Sequence, residues 1–161
     1  MNLPTSVAIV LVGCMATAVL DLWSYLQRRC GIATLDYALV GRWLGHLPRG
    51  RFSHASIRAS TSIAGERGLG WAAHYLIGIA FAGLLVAWVG AGWLQAPSWA
   101  PALVFGIASV AAPFFVLQPA LGLGVAAART PKPNQARLRS LMSHAVFGLG
   151  LYAAAWALQV L

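Results

Sequence analysis

The sequence predicts an all-α integral membrane protein: a four-helix bundle of two helical hairpins, with a short interfacial amphipathic helix in the first cytoplasmic loop. Three observations predict it. The chain has 161 residues, of which 60% are hydrophobic and only 9% charged, where a soluble domain carries about a quarter charged residues. It holds four apolar runs of the ~20 residues that cross a hydrocarbon core, at about residues 3–26, 68–94, 99–127 and 138–161. All eleven Lys and Arg residues lie between Arg28 and Arg67 or between Arg129 and Arg139. Almost no chain is left over, so residues 1–161 read as one transmembrane domain.

The distribution of charge sets the orientation. Cytoplasmic loops of membrane proteins carry the excess of Lys and Arg. Both basic segments therefore belong in the cytoplasm, the loop 28–67 among them, and both termini belong outside. The net charge of +8 then calls for anionic lipid headgroups rather than nucleic acid. The first run is read as a span and not as a cleaved leader, because no positive residue precedes it and Asp21 follows closely. Cys14 and Cys30 are sixteen residues apart, ~24 Å along a helix, too far for a disulfide.

Within the first basic loop, Leu35, Leu39, Trp43 and Leu47 recur at four-residue spacing and make an apolar helical face. Thr34 is the expected N-cap, and Tyr37 and Trp43 are expected at headgroup depth. The sequence PRGR, residues 48–51, ends this helix. A second short helix is expected over residues 53–60, and His46 and His54 read as surface residues. In the third run, Pro113 and Pro119 favour kinks. Gly122 and Gly124 suit a close helix approach, and TPKPN then turns the chain.

Two stretches resemble one another. Arg67 precedes His74 by seven residues, as Arg137 precedes His144, and a glycine follows each histidine four residues on, Gly78 and Gly148. A parallel pseudo-repeat of the two hairpins is one reading. The match between VGCMATAVLD in the first run and FGIASVAAPF in the third is weak.

The ionisable side chains inside the spans are Asp21, His74 and His144. Such residues are rare in lipid, face the protein interior and mark functional sites by default. Each is seven residues from an edge arginine, ~10 Å at helical rise, so all three are expected in one layer of the cytoplasmic half. Cys14, Thr17, Asp21 and Ser24 share one helix face, and Gln118 lies about one turn deeper. The expected polar pocket is Asp21, His74, His144, Gln118, Thr17 and Cys14. Its cytoplasmic entrance is Glu66, Arg67, Arg129 and Arg137, with Glu66 at a helix start and within reach of Arg129 or Arg137. A metal, if one is bound, would take Asp21, His74 and His144. No motif assigns a cofactor or a catalytic residue.

Several stretches carry a family resemblance: LDLW, LDYALVGRWLGHLPRGRFSH, GERGLGWAAHYLIGIAFA and APFFVLQPALGLGVAAARTPKPNQARLRSLMSHAVFGLGLY. Together they resemble the bacterial membrane family known as domain of unknown function 2938 over nearly the whole chain. The resemblance implies a multi-pass protein of the bacterial inner membrane and brings no activity. The residues themselves favour a small transporter or permease-like protein with a cytoplasm-facing polar pocket. Four helices make a thin pore, so this reading calls for a homo-oligomer or a membrane partner. The alternative is a non-catalytic accessory subunit of a larger membrane complex. An intramembrane metal site or enzyme is the less favoured reading.

Overall fold

A computed structural model of the chain describes residues 3–160. Every regular element among them is helical. They are α1 (Thr5–Arg29), α2 (Tyr37–His46), α3 (Glu66–Val89), α4 (Trp99–Ala108), α5 (Gln118–Ala120) and α6 (Pro133–Val160), with a π-helical segment, Pro113–Leu117, leading into α5. Four stretches are long and apolar enough to cross a membrane: Thr5–Arg29, Glu66–Val89, Trp99–Ala120 and Pro133–Val160.

Their ends differ from the sequence expectation for local reasons. Helix α3 stops at Val89 instead of continuing to Leu94, because Gly90 turns to φ 92°, a conformation a helix cannot use. The third stretch ends at Ala120 instead of Ala127, since Gly122 also takes φ 92°. Helix α6 starts at Pro133, five residues before the expected Leu138, because proline is well suited to the first helical position. Asp36, not Thr34, caps α2, its side chain accepting from the Ala38 N–H at 3.0 Å. Thr34 instead accepts from Arg28 at 3.1 Å. The second loop helix is reduced to a single 3₁₀ turn, Ile57–Ala59.

The chain divides into two compact units. The first comprises the residues up to Thr34, Tyr75–Ser109 and the residues from Leu141 on, so it contains α1, most of α3, all of α4 and most of α6. Its core is built from Ala8, Val12 and Ala16 of α1, Ala82 and Leu85 of α3, Ala102 of α4, and Leu151 and Ala155 of α6. Alanines recur in it, and at the glycines the helices meet backbone to backbone. A Cβ on Gly13 would lie 2.5 Å from the Ile79 Cα, and one on Gly106 would lie 2.5 Å from the Gly148 Cα. Gly78 and Gly148 thus each serve a close helix approach. Lipid is as apolar as leucine, so helices in it associate through such tight packing rather than through hydrophobic burial.

The second unit comprises Leu35–His74 and Val110–Ser140. Here α2 lies against the start of α3. A Cβ on Gly41 would fall 1.8 Å from the Glu66 carbonyl oxygen, and one on Gly70 would fall 1.8 Å from that of Tyr37. Leu39, Ile57 and Leu121 form a small core, with Trp43 and Leu117 packed on it. The loop after α2 is tied to the end of α5: the His54 N–H donates to the Ala120 carbonyl at 2.9 Å and the Ile57 N–H to that of Leu121 at 3.2 Å. Gly122 passes beneath Ala55, where a Cβ would meet the Ala55 carbonyl oxygen at 2.3 Å. Its role is to seat this loop, not to bring two helices together.

Two glycines of α3 separate packing from propensity. Nothing lies within 4 Å of a Cβ on Gly68, so Gly68→Ala is expected to stabilise by up to about 1 kcal/mol through helix propensity. Gly70→Ala is expected to destabilise by about 1–3 kcal/mol, because α2 must move away. Denaturant unfolding of the two variants in one detergent checks the opposite signs; equal midpoints would remove the α2–α3 contact as a determinant of stability.

Candidate functional site

On α1, the polar face expected from sequence is present. Thr17 is buried, and Cys14, Asp21 and Ser24 are half-buried. The Thr17 hydroxyl donates to the Gly13 carbonyl at 2.7 Å, which satisfies it inside the helix. Cys14 is a free thiol. Asp21 accepts a hydrogen bond at 2.9 Å from the Tyr75 hydroxyl of α3. Tyr75 was not among the residues expected from sequence. Its position three residues before Gly78 was the available signal, since that spacing puts it on the face α3 turns towards α1.

His144 belongs to the same unit and has a different partner. Its Nδ1 lies 2.7 Å from the Ser109 hydroxyl, and that hydroxyl is also 2.6 Å from the Gly106 carbonyl. A carbonyl only accepts, so the single Ser109 proton points to Gly106 and the serine oxygen accepts from His144 Nδ1–H. This tautomer leaves Nε2 as the basic nitrogen of the ring. Ser109 was not among the residues expected from sequence; it stands one turn from Gly106, on the face of α4 that meets α6.

The remaining expected pocket residues lie in the second unit. His74 stacks on Tyr37 with ring centroids 4.0 Å apart, and Trp71 meets the same histidine edge-on at 5.8 Å. Tyr37, expected as an interfacial anchor, is thereby packed against α3. Trp43 is fixed as well, its Nε1 donating to the Phe52 carbonyl at 2.9 Å. Gln118 donates to the Ser140 hydroxyl at 3.4 Å, and its Oε1 is enclosed without a hydrogen-bond partner among the described residues. Among those residues, no group of three or more His, Cys, Asp or Glu side chains is placed to hold a metal ion.

Glu66 is paired, but not with Arg129 or Arg137. Both of its oxygens accept from Arg42, Oε2 from Nε at 2.8 Å and Oε1 from an Nη at 2.7 Å. The cause is the Gly41–Gly70 contact, which brings the residue after Gly41 beside the first turn of α3. Arg137 instead donates to the Ala126 carbonyl at 2.8 Å and to Asn134 at 3.0 Å. Arg129 and Arg67 are exposed. The other Nη of Arg42 donates to the carbonyls of Ile57, Arg58 and Ser60 at 3.1–3.3 Å. Hydrogen bonding to Glu66 holds the Arg42 guanidinium above its usual pKa range, so this cation is permanent.

His46 and His54 are likewise not surface groups. His46 is 2% exposed, and its Nδ1 lies 2.8 Å from His54 Nε2. Its own Nε2 lies 3.1 Å from the Thr61 carbonyl. The sequence signal was present: His46 is seven residues after Leu39, on the apolar face of α2.

Taken together, these features define an all-helical protein with four helices able to cross a membrane and paired polar side chains inside them. A family model described as "Protein of unknown function (DUF2938)" matches residues 10–158, and the chain belongs to that family. No curated protein and no solved structure shows a match to it.

The Arg42 fork makes a direct prediction. Lysine keeps the charge but cannot hold a carboxylate and three carbonyls at once. Arg42→Lys is expected to speed tryptic cleavage after Arg58 by about tenfold or more, because the loop opens locally. Limited proteolysis of detergent-solubilised protein reads this out; cleavage at the wild-type rate would show that the fork does not hold the loop.

Proposed function

We propose that this chain is a small transporter or permease-like protein of the bacterial inner membrane. Both termini face the periplasm, and a polar pocket centred on Asp21 opens towards the cytoplasm. The single observation that supports it most is the Asp21–Tyr75 pair, set on a polar stripe with Thr17 and Cys14. A carboxylate inside a span is expensive, so its presence calls for a use. The tyrosine hydroxyl donates to this carboxylate and fixes its position on the stripe. His144, hydrogen-bonded to Ser109, adds a second polar side chain in the same unit.

Two further features agree. The third apolar stretch is broken at Ser109–Val110 and passes through a π-helical segment. Interrupted helices of this kind accompany binding sites in transporters. Exposed Arg28, Arg29, Arg49, Arg51, Arg67 and Arg139 suit the anionic headgroups of the cytoplasmic leaflet.

The test is proton flux into proteoliposomes containing an entrapped pH-sensitive dye, driven by a potassium diffusion potential. Asp21→Asn is expected to lower the flux at least about tenfold, and Tyr75→Phe to lower it by a smaller factor. Thermal unfolding should be close to wild type, because an interhelical hydrogen bond in a membrane contributes only about 0.6 kcal/mol on average. Wild-type flux no higher than that of empty liposomes, or an unchanged flux in Asp21→Asn, would overturn the proton-handling form of the proposal. Co-purification of a stoichiometric membrane partner with a flux-free protein would favour an accessory subunit.

A further inference from the structure

We propose that the His46–His54 pair is a pH-operated latch that holds the loop of residues 51–61 in place and releases it when the pair is protonated. The argument begins with hydrogen bookkeeping. The Thr61 carbonyl can only accept, so His46 Nε2 carries a proton and donates to it. In the neutral ring, His46 Nδ1 is therefore a lone pair. Only a donor can sit 2.8 Å from it, so His54 Nε2 carries the hydrogen between the rings. The neutral pair has one hydrogen in the bond between the rings and one from His46 Nε2 to the Thr61 carbonyl, and it leaves His54 Nδ1 as a lone pair.

A further proton has no place to go without disturbing this. On His54 it must sit at Nδ1, which is enclosed and has no hydrogen-bond partner among the described residues. A buried donor without an acceptor is costly. On His46 it must sit at Nδ1, and two N–H groups would then face each other at hydrogen-bond distance. Protonation at His54 keeps the bond between the rings but adds a charged, unpartnered N–H to an enclosed site, and protonation at His46 sets two N–H groups against each other. The charged groups around the pair do not remove the conflict. Arg42, one turn earlier on α2, opposes an added positive charge. Glu66 on α3 favours one, but both of its oxygens are already held by Arg42. Arg51, in the loop, is a further exposed cation. The residues of the α5 end that bond this loop, Ala120 and Leu121, carry no titratable side chain.

The consequence reaches beyond two rings. His54 is also held by its backbone N–H to Ala120, and Ile57 by its own to Leu121. Gly122 fits beneath Ala55 only while the loop is seated. Expulsion of the His54 ring therefore loosens the cover over the end of α5, next to Gln118.

The experiment is hydrogen–deuterium exchange of the full chain in detergent, expressed as protection factors corrected for intrinsic exchange. Between about pH 8 and about pH 5.5, peptides covering residues 52–61 should lose protection by about tenfold or more, while peptides in α1 and α6 stay protected. His54→Gln keeps an N–H donor for His46 Nδ1 but cannot be protonated. It should keep the loop protected at both pH values. Should that variant fail to fold, ¹⁵N-histidine spectra of the wild type decide, with one pair of rings passing from Nε2–H tautomers to a protonated form as the loop loses protection. Equal loop protection at both pH values would overturn the latch. So would an equal acid-induced loss in His54→Gln, or an acid-induced loss spread over α1 and α6.

Discussion

The absence of side chains at the helix crossings is the condition on which the rest of this structure depends. In lipid, two apolar helices gain little from each other's leucines, and contact energy comes from close packing of the backbones. Gly13 against Ile79, Gly106 against Gly148, and Gly41 with Gly70 each allow an approach that a single Cβ would forbid. The polar pairs are consequences of these approaches. Tyr75 reaches Asp21 because α3 lies close on α1. Ser109 reaches His144 because α4 lies close on α6. Arg42 reaches Glu66 because α2 lies on the first turn of α3. At about 0.6 kcal/mol for an average interhelical hydrogen bond, the two pairs within the spans are too weak to create the crossings that position them.

The segment of residues 50–65, just before α3, shows how a stretch with little regular structure is kept ordered. It contains one 3₁₀ turn and a core of a few residues, so burial alone holds it weakly. Its carbonyls are gathered instead by one guanidinium and one imidazole: Ile57, Arg58 and Ser60 on Arg42, and Thr61 on His46. Its N–H groups at His54 and Ile57 go to α5. This division follows from composition. Charged and polar side chains are scarce in this chain, and those of α2 carry several partners each.

What the sequence made legible follows the same physics. Long apolar runs are a property of composition, so the four stretches could be read without knowing what they touch. Their ends could not, since hydropathy does not register that Gly90 and Gly122 leave the helical region or that Pro133 begins a helix. The stripe on α1 was legible because the period of a helix is fixed. Its partner was not, because the choice of Tyr75 over its neighbour depends on the direction in which α3 is turned. Glu66 was legible as an acid in need of a cation. Choosing Arg42 over Arg129 or Arg137 required the Gly41–Gly70 contact. His46 was misjudged by position: residues between spans read as exposed, although its spacing from Leu39 put it on a buried face.

The two hairpins share a scaffold and differ in chemistry. In one, Gly13 packs on α3 and the Thr17 hydroxyl returns to the Gly13 carbonyl; in the other, Gly106 packs on α6 and the Ser109 hydroxyl returns to the Gly106 carbonyl. Gly78 and Gly148 each stand four residues after a histidine. The correspondence extends to the packing and stops at the polar partners. Thr17 is satisfied within its own helix, which leaves Asp21 and Tyr75 to pair one turn further on. Ser109 is shared between its own helix and His144. A carboxylate–phenol pair in one and an imidazole–hydroxyl pair in the other place two chemically different polar pairs on one type of scaffold.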